Sequence, residues 1–229
     1  MKTDSLGQAM EPVRVGGVTI PFPTADDWIQ EYTDPKGSNS SPYAYPAYDF
    51  LDTRSAPDEV NDGDLLAPVL LNVRPTASAF YRLQAIKSPL ALSLSHPALD
   101  EDLASLSDAQ IRDAIRPVYA ILDNERAEFG RRGLSGTTLS KVVHRKRPKA
   151  LCLHDKWVEK CYLGDGRPVP QSKGRSWADY MVLLSIAMRE DLTRDQEQFK
   201  QLRSSVLGEP VSDLRLLDIL AWRSEGTSQ

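Results

Sequence analysis

Residues 136–162 read GTTLSKVVHRKRPKALCLHDKWVEKCY, and this stretch decides how the rest of the chain is read. Thr137 or Thr138 opens a helix that Pro148 ends. An apolar step at 150–153 follows, and Asp155 then caps a second short helix that stops at Gly164. Upstream, Gly133 and Gly136 bracket a tight turn. Two short helices with a glycine turn before them form a compact element that presents backbone N–H groups and basic side chains together.

Charge sets this region apart. Residues 131–160 hold nine Lys or Arg against Asp155 and Glu159, a net +7. The other residues carry 19 basic against 30 acidic side chains, a net −11, and the chain as a whole is −4. A local basic block on an acidic protein steers polyanions to one face. The rival reading of such a run is a solvated helix face.

Outward from this block the chain is mainly α. On the C-terminal side, 176–207 and 212–224 are two strong helical patterns, with stripes of Trp177, Met181, Leu184 and Met188 and of Leu216, Ile219 and Leu220 read as core. On the N-terminal side, Ile111, Ile115, Val118 and Leu122 repeat at helical spacing. Pro89 breaks or kinks a helix over 76–94, and a helix near 62–73 starts after an Asp cap with Pro68 in its first turn. The first 60 residues differ from the rest. Val13/Val15 and Val18/Ile20 alternate around Gly16-Gly17 as a short β-hairpin, a helix capped by Thr24 or Asp26 follows, and 33–50 is a loop dense in Pro, Gly, Ser and Asn. In that loop Tyr43, Tyr45 and Tyr48 are expected to dock on the core, with base stacking the rival role. The organisation expected is therefore 1–60 as hairpin, helix and loop, and 61–225 as a helical domain.

Several chemistries lack their motifs. Cys152 and Cys161 match no zinc spacing and read as packed thiols; His96, His144 and His154 form no metal motif. The segment beginning Gly164-Asp165-Gly166 has Val169 where a dinucleotide fingerprint needs glycine, and no phosphate-binding P-loop or nucleophile elbow occurs. No cofactor and no metal are expected. No apolar run approaches membrane-spanning length and no secretory leader is visible, so a cytoplasmic protein with no membrane partner is expected.

The arrangement around Asp155 resembles the helix-hairpin-helix DNA glycosylases of base-excision repair. Leu134-Ser135-Gly136 stands at the start of their hairpin, 150–153 at their hydrophobic step, and Asp155, Val158 and Lys160 at their aspartate pattern, about 30 residues in all. The likeness implies a helix-hairpin-helix-like element, DNA as partner, and Asp155 as the catalytic carboxylate. Thr138 replaces the hairpin's second glycine, and Thr137 stands where bifunctional members place a lysine, so a monofunctional reaction that uses water is implied. The chain as a whole is also similar to uncharacterised actinobacterial proteins through HRKRP, LHDKWV and SWADYMVLLS. The reading is a nucleic-acid-binding protein, glycosylase-like through Asp155, that contacts its partner with Gly136, Thr137, Thr138, Lys141, Arg145, Lys146, Arg147, Lys156 and Lys160. Two alternatives stand beside it. One is a non-catalytic module for nucleic acid or an acidic protein; the other is an enzyme on a small nucleotide or phosphorylated substrate, with Arg145, Arg147, Arg167 and Lys173 as an anion clamp.

Overall fold

The computed structural model describes residues 10–35, 43–130 and 134–226. The protein is mainly helical, with one short N-terminal β-hairpin. Strands β1 (Val13–Val15) and β2 (Val18–Ile20) pair antiparallel, Val13 opposite Ile20, and Gly16 turns between them at φ +60°. Ten α-helices follow among the described residues: α1 (Phe22–Thr33), α2 (Asp62–Leu66), α3 (Ala77–Ala85), α4 (Lys87–Leu94), α5 (Asp108–Phe129), α6 (Gly136–Lys146), α7 (Lys156–Tyr162), α8 (Trp177–Arg194), α9 (Gln196–Ser205) and α10 (Asp213–Gly226). Short 3-10 turns link α2 to α3 and α4 to α5.

Several helix ends differ from the expectation, each for a local reason. Helix α1 begins at Phe22, ahead of Thr24, because Pro21 and Pro23 hold the chain in helix-entry geometry without a side-chain cap. Helix α2 is capped by Asn61, whose side chain accepts from the Asp64 amide while the Asp64 carboxylate accepts from the Asn61 amide. The 76–94 segment breaks at Ile86 and not at Pro89, which sits in the first turn of α4 where its missing N–H is harmless. Helix α6 is capped by Ser135, two residues before Thr137. The long pattern at 176–207 divides at Asp195 into α8 and α9.

One large apolar cluster runs from Val13 to Ala221 and takes in the hairpin, α1 and the later helices, and a small second one joins Tyr48 to Ala67 and Leu153, so residues before 60 pack with those after it. The largest helix contact is α5 against α8. On α5 the stripe Ile111, Ile115, Val118 and Leu122 is fully buried, as its spacing requires. The hairpin is pinned by two carboxylates near the end of α8: Arg14 donates its amide to Asp195 Oδ2 (2.7 Å) and Gly16 to Asp191 Oδ2 (2.6 Å). Its turn lies against the end of α7, where Gly17 donates to the Cys161 carbonyl (2.9 Å). A Cβ on Gly16 would lie 2.3 Å from that carbonyl oxygen, so this approach needs glycine. Among the described residues no helix is long and apolar enough to cross a membrane.

Candidate functional site

Helix α6 carries the densest run of basic side chains, and the fold turns most of them inward. Lys146 reaches Asp64 (3.3 Å) and the Ser55 hydroxyl (2.6 Å), with both ionic side chains nearly or fully buried. Arg145 donates to the carbonyls of Asp49 (2.8 Å) and Leu51. Arg147 holds the Leu94 carbonyl with two nitrogens (3.1 and 2.7 Å) and pairs with Asp100. The segment 49–64 and the end of α4 therefore take up cations that the sequence suggested for nucleic acid. The residues at the start of α6 are similarly engaged. Thr138 is buried and gives its amide to the Ser135 hydroxyl (3.1 Å); Thr137 is half-buried. Gly136 lies under Trp177, where a Cβ would come within 2.4 Å of the indole ring. Arg131, Arg132 and Gly133 lie outside the described residues.

Lys156 and Lys160 remain exposed, on α7, with their ammonium groups 4.1 and 4.5 Å from the Trp157 ring. Of the other cations proposed as a clamp, Arg167 sits 3.7 Å from Glu225, and Lys173 lies apart in the loop before α8.

Asp155 is the cap that its position implies, and its carboxylate has a second contact. Its Oδ1 accepts from the amides of Trp157 (2.9 Å) and Val158 (3.1 Å) at the start of α7. Its Oδ2 lies 3.8 Å from Lys141 Nζ. Both residues line a cavity of about 660 Å³. The opposite wall comes from α10, with Arg215, Asp218 and Trp222. Tyr32 from α1 and Tyr43 from the 43–50 loop complete an aromatic side: their rings stack at 5.0 Å, and Trp222 meets both edge-on. Leu70, Leu71 and Asn72 close the rim.

The electrostatics of the cavity follow from burial. Arg215 is locked by Asp49 (2.7 Å), by the Tyr32 hydroxyl (2.8 Å) and by Asp218 Oδ2. Burial raises the Asp218 carboxyl to a pKa of about 6, with Asp155 adding to the rise and Arg215 and Lys141 opposing it. Burial likewise pulls the Lys141 ammonium below its usual range, against the pull of Asp155 and Asp218. A carboxyl that keeps its proton to about pH 6 therefore shares the cavity with a carboxylate beside a desolvated amine, an arrangement able to give and take protons.

The structure brings Asp155 and Lys141 together at this cavity, places Lys156 and Lys160 on the surface after Asp155, and sends Arg145, Lys146 and Arg147 elsewhere. Sequence reasoning missed Arg215, Asp218, Tyr32 and Trp222. One signal was present: Arg215 and Asp218 fall at i,i+3 within the otherwise apolar stretch 214–222, the spacing of a polar pair on one buried face. Of the loop tyrosines, Tyr45 and Tyr48 dock as expected, donating to the carbonyls of Glu209 (2.9 Å) and Lys141 (2.7 Å), whereas Tyr43 walls the cavity.

Fold and site together define a mainly helical protein with a charged, aromatic-walled cavity between α6, α7 and α10. The chain belongs to a family of unknown function, DUF6308, whose model matches residues 25–225. No curated protein and no solved structure matches it.

Proposed function

We propose that the cavity receives the base and sugar of a nucleotide unit and that Asp155 acts there on the N-glycosidic bond. The observation that carries this reading is the division of the Asp155 carboxylate, one oxygen capping α7 and the other facing the cavity beside Lys141. The likeness of 134–160 to the helix-hairpin-helix glycosylases supports the same residue for the same role. In this scheme the base lies against Tyr43 and Trp222, and Asp218 gives its proton to the departing base as the bond between sugar carbon and base nitrogen breaks. Asp155 stabilises the positive charge that develops on the sugar and takes the proton of the water that adds to it. A nucleic-acid strand approaches over the exposed Lys156 and Lys160 and the half-buried Trp157 between them, next to Asp155.

A second reading, an enzyme for a free nucleotide, is favoured by the inward fate of Arg145, Lys146 and Arg147, which leaves no broad basic face on α6 for a duplex. One experiment separates the two. Wild type and Asp155→Asn are incubated with single- and double-stranded oligonucleotides carrying uracil, hypoxanthine or alkylated bases, and with free nucleotides, over a salt series. Abasic product from wild type, reduced about a thousandfold in the variant, supports the glycosylase. Base released only from free nucleotides supports the small-substrate enzyme. Salt-dependent binding without product from any substrate leaves a binding module and removes the catalytic role of Asp155.

A further inference from the structure

His154 and Asp155 are neighbours in sequence, yet they line different cavities. His154 is 3% exposed and forms a box with Trp177 (5.1 Å) and Tyr180 (5.3 Å), the three rings close to perpendicular to one another. These rings line a cavity of about 290 Å³ together with Arg126, whose guanidinium lies 5.2 Å from the Trp177 ring. Both ring nitrogens of His154, the Tyr180 hydroxyl and Arg126 Nε are buried and without a hydrogen-bond partner among the described residues. Buried polar atoms without partners are costly, and their convergence on one cavity marks a place that a polar ligand would satisfy. Burial draws the His154 pKa down to about 4, so near neutral pH the ring offers one donor and one acceptor.

Across the 170–176 loop lies a second cavity of about 390 Å³, lined by Arg112, Lys173 and Arg175. None of the three has an ion pair or side-chain hydrogen bond among the described residues. The carboxylate in this lining, Asp179, is already held by Ser176 (2.7 Å) and Arg116, so the lobe is net positive. Among the described residues, Glu159 is the one acidic side chain lining the aromatic lobe. Ser172 and Arg175 line both cavities, so the two meet at this loop.

We propose that these two lobes form a nucleotide-binding site distinct from the Asp155 cavity, with the phosphate held by Arg112, Lys173 and Arg175 and the base ring held at Trp177, Tyr180 and His154. A bare oxyanion would leave the aromatic lobe and its unpartnered polar atoms unused, and a neutral ring would leave three cations unused. A phosphate joined to a heteroaromatic ring through a sugar uses both. The ligand is a free nucleotide or a nucleotide unit of a strand, and the two share this chemistry.

The test uses the full chain with nitrogen-15-labelled tryptophan, reading the indole signals of Trp28, Trp157, Trp177 and Trp222 during titration with adenosine monophosphate, adenosine, inorganic phosphate and a short single-stranded oligodeoxyadenylate. The expected result is a saturating shift of Trp177, produced more weakly by adenosine or phosphate alone and retained in Asp155→Asn. In Lys173→Ala/Arg175→Ala, which changes side chains outside the core, affinity falls about tenfold or more, as loss of charge-assisted contacts requires. Saturation by the mononucleotide identifies a free-nucleotide site; saturation by the oligonucleotide alone identifies a strand site. The proposal is overturned if neither moves Trp177, if Trp222 alone responds, if phosphate binds as tightly as the nucleotide, or if the double variant binds as wild type does.

Discussion

Helix α6 and the loop at 170–176 are both basic in sequence, and the fold treats them in opposite ways. On α6, Arg145, Lys146 and Arg147 are engaged by carbonyls and carboxylates from 49–64 and from the 94–100 region. In the loop, Lys173 and Arg175 make no ion pair or side-chain hydrogen bond among the described residues and line a cavity with Arg112. A run of like charge is therefore not a surface potential. What decides is whether another segment of the chain brings acceptors to it, and the cations of a regular helix facing the core are easily met in this way.

This contrast is open to direct attack. The largest effect expected is for Lys146→Ala, which leaves the fully buried Asp64 carboxylate without its cation and destabilises the protein by about 3–5 kcal/mol in urea unfolding. A loss below about 1 kcal/mol would show that Lys146 is not internal.

Acid comes next. Burial of the two rings lowers the pKa of His144 to about 3 and of His154 to about 4, from an ordinary 6.5. In that interval the unfolded chain binds more protons than the folded one. The stability these histidines contribute is thus complete above pH 6.5 and is lost as pH falls toward 4 for His154 and toward 3 for His144, with a slope of at most about 1.4 kcal/mol per pH unit for each. Asp218 acts with the opposite sign between its ordinary 3.8 and about 6, where the folded state holds the extra proton. His154→Phe removes one histidine's share of the slope; an unchanged slope in urea titrations at several pH values would mean that His154 is hydrated in solution.

Gly136→Ala tests the packing between the two regions. The added methyl would meet the Trp177 ring at 2.4 Å, and a cost of about 1–3 kcal/mol is expected in the same assay. A neutral result would mean that the indole swings aside freely.

A smaller effect distinguishes the two roles of Asp155. Asp155→Ala loses the α7 cap at a cost of about 1 kcal/mol, whereas Asp155→Asn keeps a cap and loses only a few tenths. Equal losses in both would assign the stabilisation to the charge beside Lys141 instead. The smallest change belongs to Lys173→Ala, within about 0.5 kcal/mol of wild type, since this exposed ammonium has no partner to lose.

Local signals made much of the fold legible in the sequence. Val13, Val15 and Ile20 around Gly16 produced the hairpin, the Ile111 to Leu122 stripe produced α5, and Asp155 produced the cap of α7, because each depends on residues within one or two turns of one another. Asp155 and Lys141 were likewise singled out in the sequence, and the fold sets both in the wall of one cavity. Asp218 and Arg215 were not, since they lie about 60 residues beyond Asp155 in a helix whose leucines fit a plain core pattern.

The sequence by itself therefore determined the helical class, the hairpin, the caps and the position of a carboxylate at the start of α7, all consequences of short-range backbone chemistry. Only the tertiary structure decided which cations are internal, that α10 supplies the far wall of the Asp155 cavity, and that His154 and Asp155 serve different cavities. The physical reason is that burial and pairing belong to contacts between segments distant in the chain. The electrostatic character of Lys146 or Asp218 comes from those contacts and not from its neighbours in sequence.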